Sequence, residues 1–168
     1  MIFNSTKFNT HWLEKSLSSL GTFKRGKSKH RPRNDPKLFN NGIYPLIQTG
    51  EIKSAHLYIN THKTAYNEFG LAQSQIWPKN TMCITIAANI AETGILEYPM
   101  CFPDSVVGFI ANPNKTSEIF MHYVFSYIRK AIQETASGSI QDNINIEFLT
   151  DLIFRIPEKK TQDSICNV

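Results

Sequence analysis

The chain has no run approaching the ~18–20 apolar residues that cross a bilayer. Its start, MIFNSTKFNT, lacks the basic, apolar and small-residue order of a secretory signal. A cytoplasmic protein with no membrane partner is expected. Cysteine is scarce. Cys83, Cys101 and Cys166 form neither an even disulfide set nor a CxxC pair, so a disulfide framework or zinc ribbon has no support, and reduced thiols are expected. The histidines His11, His30, His56, His62 and His122 show neither HExxH nor i,i+4 pairing, so no metal site is expected. GxSxG, Walker and GxGxxG patterns are absent, which removes the usual supports for acyl transfer and for phosphate or dinucleotide cradling. Asn112-Pro113-Asn114 lacks the second proline and the aromatic residue with which amino-methyltransferases hold a base. No cofactor is expected, and the chain is not expected to be an enzyme.

What is present is an uneven charge. Residues 24–37 hold seven cations (Lys24, Arg25, Lys27, Lys29, Arg31, Arg33, Lys37) against Asp35, a local balance of +6, whereas the rest carries 11 basic and 13 acidic side chains. A net +4 concentrated in one segment suits a polyanion such as nucleic acid. A solvated basic loop is the simpler alternative.

A length of 168 residues with 41% hydrophobic content fits one domain with one core. Phe3 to Leu20 is ambiguous between helix and strand. Residues 26–42, rich in Lys, Arg, Asn and Pro, read as a long loop punctuated by Asn34-Asp35-Pro36 and Asn40-Asn41-Gly42. Short β-branched and aromatic runs at Ile43–Ile47, His56–Ile59, Met82–Ala87, Gly94–Leu96 and Val106–Ile110 predict strands. From Thr116 to Ala136, apolar residues recur at three- and four-residue steps, which predicts an amphipathic helix ended by Ser137-Gly138-Ser139. A short helix over 145–149, a last strand at Leu152–Ile156 and a loose polar tail over 158–168 complete the expectation. Domain 1–157 is thus followed by a tail. Asp104 with Glu158 and Lys160 matches the residue types of an Mg²⁺-dependent nuclease, the enzymatic alternative.

Four blocks, in order, carry a family resemblance: GTFKRGKSKHRPRNDPKLFNNGIYPLIQTGEI (21–52), CITIAANIAETGIL (83–96), CFPDSVVGFI (101–110) and ASGSIQDNIN (136–145). From about Leu20 to Ile156 the chain resembles the specificity subunits of Type I restriction-modification systems. The resemblance implies an α+β, β-rich target recognition domain with a few helices that reads one half of a bipartite site in double-stranded DNA. It implies an adenine-N6 methyltransferase subunit and a restriction subunit as partners. Family members carry two such domains separated by long spacer helices. EKKTQDSICNV stands where that coiled-coil helix should begin, so a half-subunit with its spacer missing or truncated is expected, with a second half-subunit as a further partner. A recognition fragment of a fused restriction-methylation enzyme and a binder of single strands or RNA are the rivals.

Candidate DNA-binding residues follow. Lys27, Lys29, His30, Arg31 and Arg33 suit phosphates or, for Arg and Lys, guanine O6 and N7. Gln48 and Thr49, polar at a strand end, suit adenine N6 and N7 or a structural turn. Ser137, Ser139 and Gln141 suit a phosphate, and the glycine between them suits a helix C-cap. Asn89 and Glu92 read as turn formers before base readers. Tyr66, Phe69 and Trp77 offer base stacking, although aromatics in a β-rich fold usually lie in the core.

Overall fold

A computed structural model describes residues 2–3, 12–137 and 144–167. In chain order the elements are β1 (Ile2–Phe3), β2 (Leu13–Ser16), α1 (Leu17–Leu20), β3 (Gly21–Arg25), a 3₁₀ turn (Pro36–Leu38), β4 (Tyr44–Leu46) and α2 (Thr49–Ser54). Next come β5 (Tyr58–Ile59), β6 (Thr64–Tyr66), α3 (Glu68–Ala72), β7 (Ile76–Trp77), β8 (Met82–Thr85), β9 (Thr93–Leu96), β10 (Met100–Cys101) and β11 (Val106–Ala111). The chain continues with α4 (Glu118–Ser137), α5 (Ile146–Asp151), β12 (Ile153–Ile156) and α6 (Lys159–Cys166). This is the α+β, β-rich class expected.

The central sheet has the order β3-β11-β8-β9-β5. Both its faces are covered, which explains why its middle strands read as unbroken apolar runs rather than alternating ones. On one face Met82, Ile84, Ile95, Val107 and Phe109 pack under the apolar stripe of α4, Phe120, Met121, Phe125, Ile128 and Ile132. On the other face Cys83, Leu96 and Val106 meet Ile47, Trp77, Met100 and Phe102. These last residues belong to or adjoin a second sheet, of order β6-β4-β10-β7. Between the two sheets Trp77 stacks on Phe102, with ring centroids 4.9 Å apart. A Cβ at Gly108 would lie 2.6 Å from the Trp77 ring, so only glycine lets the indole approach β11 so closely.

A third small sheet, β1-β12-β2, joins the two ends of the described chain. The loose tail expected over 158–168 is corrected here: Lys159–Cys166 is a helix, α6. Its Gln162 is 1% exposed, accepts from Thr116 Oγ1 at 2.8 Å, and donates to the carbonyls of Lys115 and Pro157 at 3.1 and 2.9 Å. Three hydrogen bonds satisfy the buried amide and hold the helix against the body.

One core histidine carries a pH dependence. His122 on α4 is 5% exposed and shares a 2.9 Å hydrogen bond between Nδ1 and Thr93 Oγ1. Burial lowers its pKa, an effect opposed by the backbone of His56 and aided by the Arg129 charge. Below about pH 6.5 the unfolded chain takes up a proton that the folded imidazole resists, so stability falls with pH through that window. Asp35, whose carboxyl is held low, acts only in a more acidic range. Urea melts between about pH 5 and 7 are expected to show a decline that His122→Gln flattens.

Candidate nucleic-acid interface

The basic segment leaves β3 at Gly26, whose amide donates to Val106 O at 2.9 Å. A Cβ there would lie 2.4 Å from Pro103 O, so glycine permits the loop to run against the turn that follows β10. Further backbone ties fix its path. Lys29 and His30 amides donate to Gln73 O and Gln73 Oε1 at 3.4 and 3.0 Å, and Ser74 Oγ donates to Lys27 O at 2.9 Å. Arg31 Nη1 donates to Ser28 O and His30 O at 2.6 and 2.8 Å. Asp35 accepts from the Lys37 amide and lies 2.8 Å from His30 Nε2, and these two contacts hold its carboxyl below the ordinary carboxylate range. The long loop is therefore ordered, with Asp35 capping the 3₁₀ turn.

Asp104 gathers the arginines. Arg33 Nη2 donates to both its carboxylate oxygens at 2.7 and 2.9 Å, Arg31 Nη2 stands 4.0 Å away, and Arg25 Nε donates to its carbonyl at 2.6 Å. Among the described residues no acidic group forms a salt bridge with Lys24, Lys27, Lys29 or Lys37, and all but the half-buried Lys27 are exposed. Five donors on each guanidinium leave Arg31 and Arg33 spare capacity toward solvent even while they are held.

Of the aromatic candidates, Tyr66 and Trp77 are core residues. Phe69 on α3 is not: it is 51% exposed and sits edge-on to His30, centroids 5.5 Å apart, beside the cationic loop. Gln48 and Thr49 follow β4 at the strand end expected, and there Gln48 is the N-cap of α2, which Thr49 opens. The Gln48 backbone N–H donates to Glu51 Oε2 at 3.1 Å, the capping pattern of Q-T-G-E. β4 and β10 run parallel with Leu46 opposite Cys101, so Gln48–Thr49 and Phe102–Asp104 leave the same end of the sheet. Topology thus sets an exposed glutamine at the sheet end that also bears the arginine anchor.

Other candidates are placed elsewhere. Ser137 ends α4, while Ser139 and Gln141 lie outside the described residues. Asn89 and Glu92 form the turn after β8, where Ala88 and Ala91 take positive φ of 59° and 62°. Glu92 pairs with Arg129 at 2.6 Å, and Asn89 accepts from Lys53 at 3.1 Å. In the nuclease set, Asp104 is engaged with arginines and Glu158 precedes α6. Among the described residues no group of three His, Cys, Asp or Glu side chains is placed to hold a metal ion, and no helix is long and apolar enough to cross a membrane. Sequence reasoning missed Asp104 as the anchor. Residue types group it with Glu158 and Lys160, and its partner Arg33 is 71 residues away in sequence.

Comparison with solved structures supports the fold. The HsdS subunit from Thermoanaerobacter tengcongensis is similar at TM-score 0.73 and 13% identity over 98% of this chain and 38% of that one. A structure described as the basis of complex assembly and conformational transition of the type I R-M system gives 0.74 and 13% over 97% and 38%. The Type-I restriction-modification S subunit from M. genitalium gives 0.65 and 18% over 97% and 38%. The chain spans well under half the length of each. Residues 9–168 match the family described as Type I restriction modification DNA specificity domain, and with nearly the whole chain covered, the protein belongs to that family.

Proposed function

We propose that this chain reads one half of a bipartite site in duplex DNA and presents it to the adenine-N6 methyltransferase and restriction subunits of a Type I restriction-modification system, without catalysing either reaction itself. Family membership implies DNA sequence recognition. The observation that carries the finer reading is the ordered loop 26–35, braced on Gln73, Ser74 and Asp104, which carries the half-buried Lys27 and the exposed Lys29 and sets His30 against the exposed ring of Phe69. Lysines with no acidic partner among the described residues suit phosphates and supply sequence-independent affinity. Spare arginine donors and the Gln48 amide suit base edges in the major groove. Phe69 suits a thymine methyl in the major groove. Positive charge alone has no means of telling one sequence from another, so the mixture of lysines without an acidic partner among the described residues, held arginines, an amide and an aromatic ring is what favours recognition over general polyanion binding.

The test is selection from a randomised duplex pool, with single-stranded DNA of the same sequence as competitor. Enrichment of a short motif of a few base pairs, resistant to single-strand competition, is the expected result. Equal retention of every sequence, or displacement by the single strand, would sink the reading.

A further inference from the structure

We propose that Asp104 is a specificity-determining residue of this interface, a built-in carboxylate that occupies the arginines in place of a DNA phosphate. The proposal rests on the DNA-reading function above. Arg33 Nη2 spans both carboxylate oxygens, Arg31 stands within 4.0 Å, and Arg25 is bound to the carbonyl of the same residue. A carboxylate and a phosphate offer a guanidinium the same paired acceptors, so they compete for one donor set. The loop's cations therefore fall into two groups. Lys24, Lys27, Lys29 and Lys37 have no salt-bridge partner among the described residues and are open to any backbone. Arg33 and Arg31 are engaged, and a random phosphate gains from them only the small difference between two similar ion pairs. A guanine edge aligned with the loop offers a bidentate O6/N7 contact that an arbitrary sequence does not, and this added contact offsets the loss of the carboxylate. Asp104 thus lowers affinity for arbitrary DNA more than for the right sequence.

The ion pair is exposed, about half at Arg33 and a third at Asp104, so its grip is weak and the effect is a matter of several-fold rather than orders of magnitude. Asp104→Asn removes the charge, keeps the shape, and leaves the backbone carbonyl that holds Arg25. The experiment titrates a random-sequence duplex with the full chain, wild type against Asp104→Asn, Asp104→Ser and Asp104→Glu, at several salt concentrations, with thermal melts of each variant. Both neutral variants are expected to bind the random duplex about 2- to 5-fold more tightly, with a salt slope steeper by up to ~0.9 for each arginine released, and Asp104→Glu is expected to track wild type. Unchanged or weaker binding by the neutral variants overturns the proposal, because it makes Asp104 a support rather than a competitor. So does a Glu variant that behaves like the Asn one. Failure of the wild type itself to bind any duplex is visible in the control arm, and it removes the DNA-reading function along with the proposal.

Discussion

Replacing Lys27, Lys29, Arg31 and Arg33 together by alanine is expected to weaken binding to every duplex by on the order of tenfold or more. The plot of log affinity against log salt should flatten by roughly 0.9 for each phosphate that is no longer neutralised. Two observations set the size. The lysines have no salt-bridge partner among the described residues, so truncating them withdraws their whole charge from the phosphates. Removal of Arg33 in turn leaves the Asp104 carboxylate unpaired at the interface, where it repels the backbone. Phe69→Ala supplies the contrast. Its ring carries no charge, so the change should lower affinity for the selected duplex by about 0.8 kcal/mol, the loss of one apolar contact with a thymine methyl, while leaving the salt slope unaltered. A quadruple variant with wild-type slope would move the DNA to another face.

Phe102→Ala is expected to cost about 3–5 kcal/mol of folding stability, a large share of the roughly 5–15 kcal/mol that holds a domain of this kind. The ring is fully buried, stacked on Trp77, and packed between the two sheets. Removing it leaves a cavity bounded by β11, where glycine at 108 cannot fill space. The midpoint of urea unfolding reads the destabilisation. Because Phe102 immediately precedes Pro103 and Asp104, the same change should also loosen the arginine anchor. Binding to a random duplex, measured well below the midpoint, should then rise rather than fall, because arginines less firmly held by Asp104 are open to phosphates. A variant that unfolds at the wild-type urea concentration would show that the second sheet contributes little to the core.

The sequence shows most clearly those elements whose burial is regular. α4 is legible because Phe120, Val124, Ile128 and Ile132 keep a helical step along one face, and β8 and β11 because burial on both sides forces continuous apolar runs. β3 escapes notice. It is an edge strand, mostly exposed, with Lys24 and Arg25 in it, and its pairing with β11 lies in distant residues rather than in its own pattern. α6 escapes for a related reason: KKTQDSIC shows no apolar stripe, and the buried side chain that docks it is a glutamine whose partners are at positions 115, 116 and 157. In the site, the charge surplus pointed to the loop, but local sequence carries no sign of whether an arginine is free or held. That depends on Asp104, which the residue types alone had grouped with Glu158 and Lys160.

The side chains proposed to meet DNA and those that hold the fold are almost separate sets. Lys29, Lys37, Gln48 and Phe69 are exposed and Lys27 is half-buried, whereas the packing between the sheets and under α4 is made by residues such as Ile84, Phe109, Phe125 and Trp77. Exposed substitutions away from caps and packed networks typically change stability by no more than about 0.5 kcal/mol. The reading surface is therefore open to rewriting: a lineage can exchange one recognised sequence for another through substitutions at these positions without first acquiring stabilising changes elsewhere. The exceptions are Gln48, which caps α2, and the stretch from Phe102 to Asp104, where a core ring and the arginine anchor are two residues apart, and where a drift in specificity would be paid in folding.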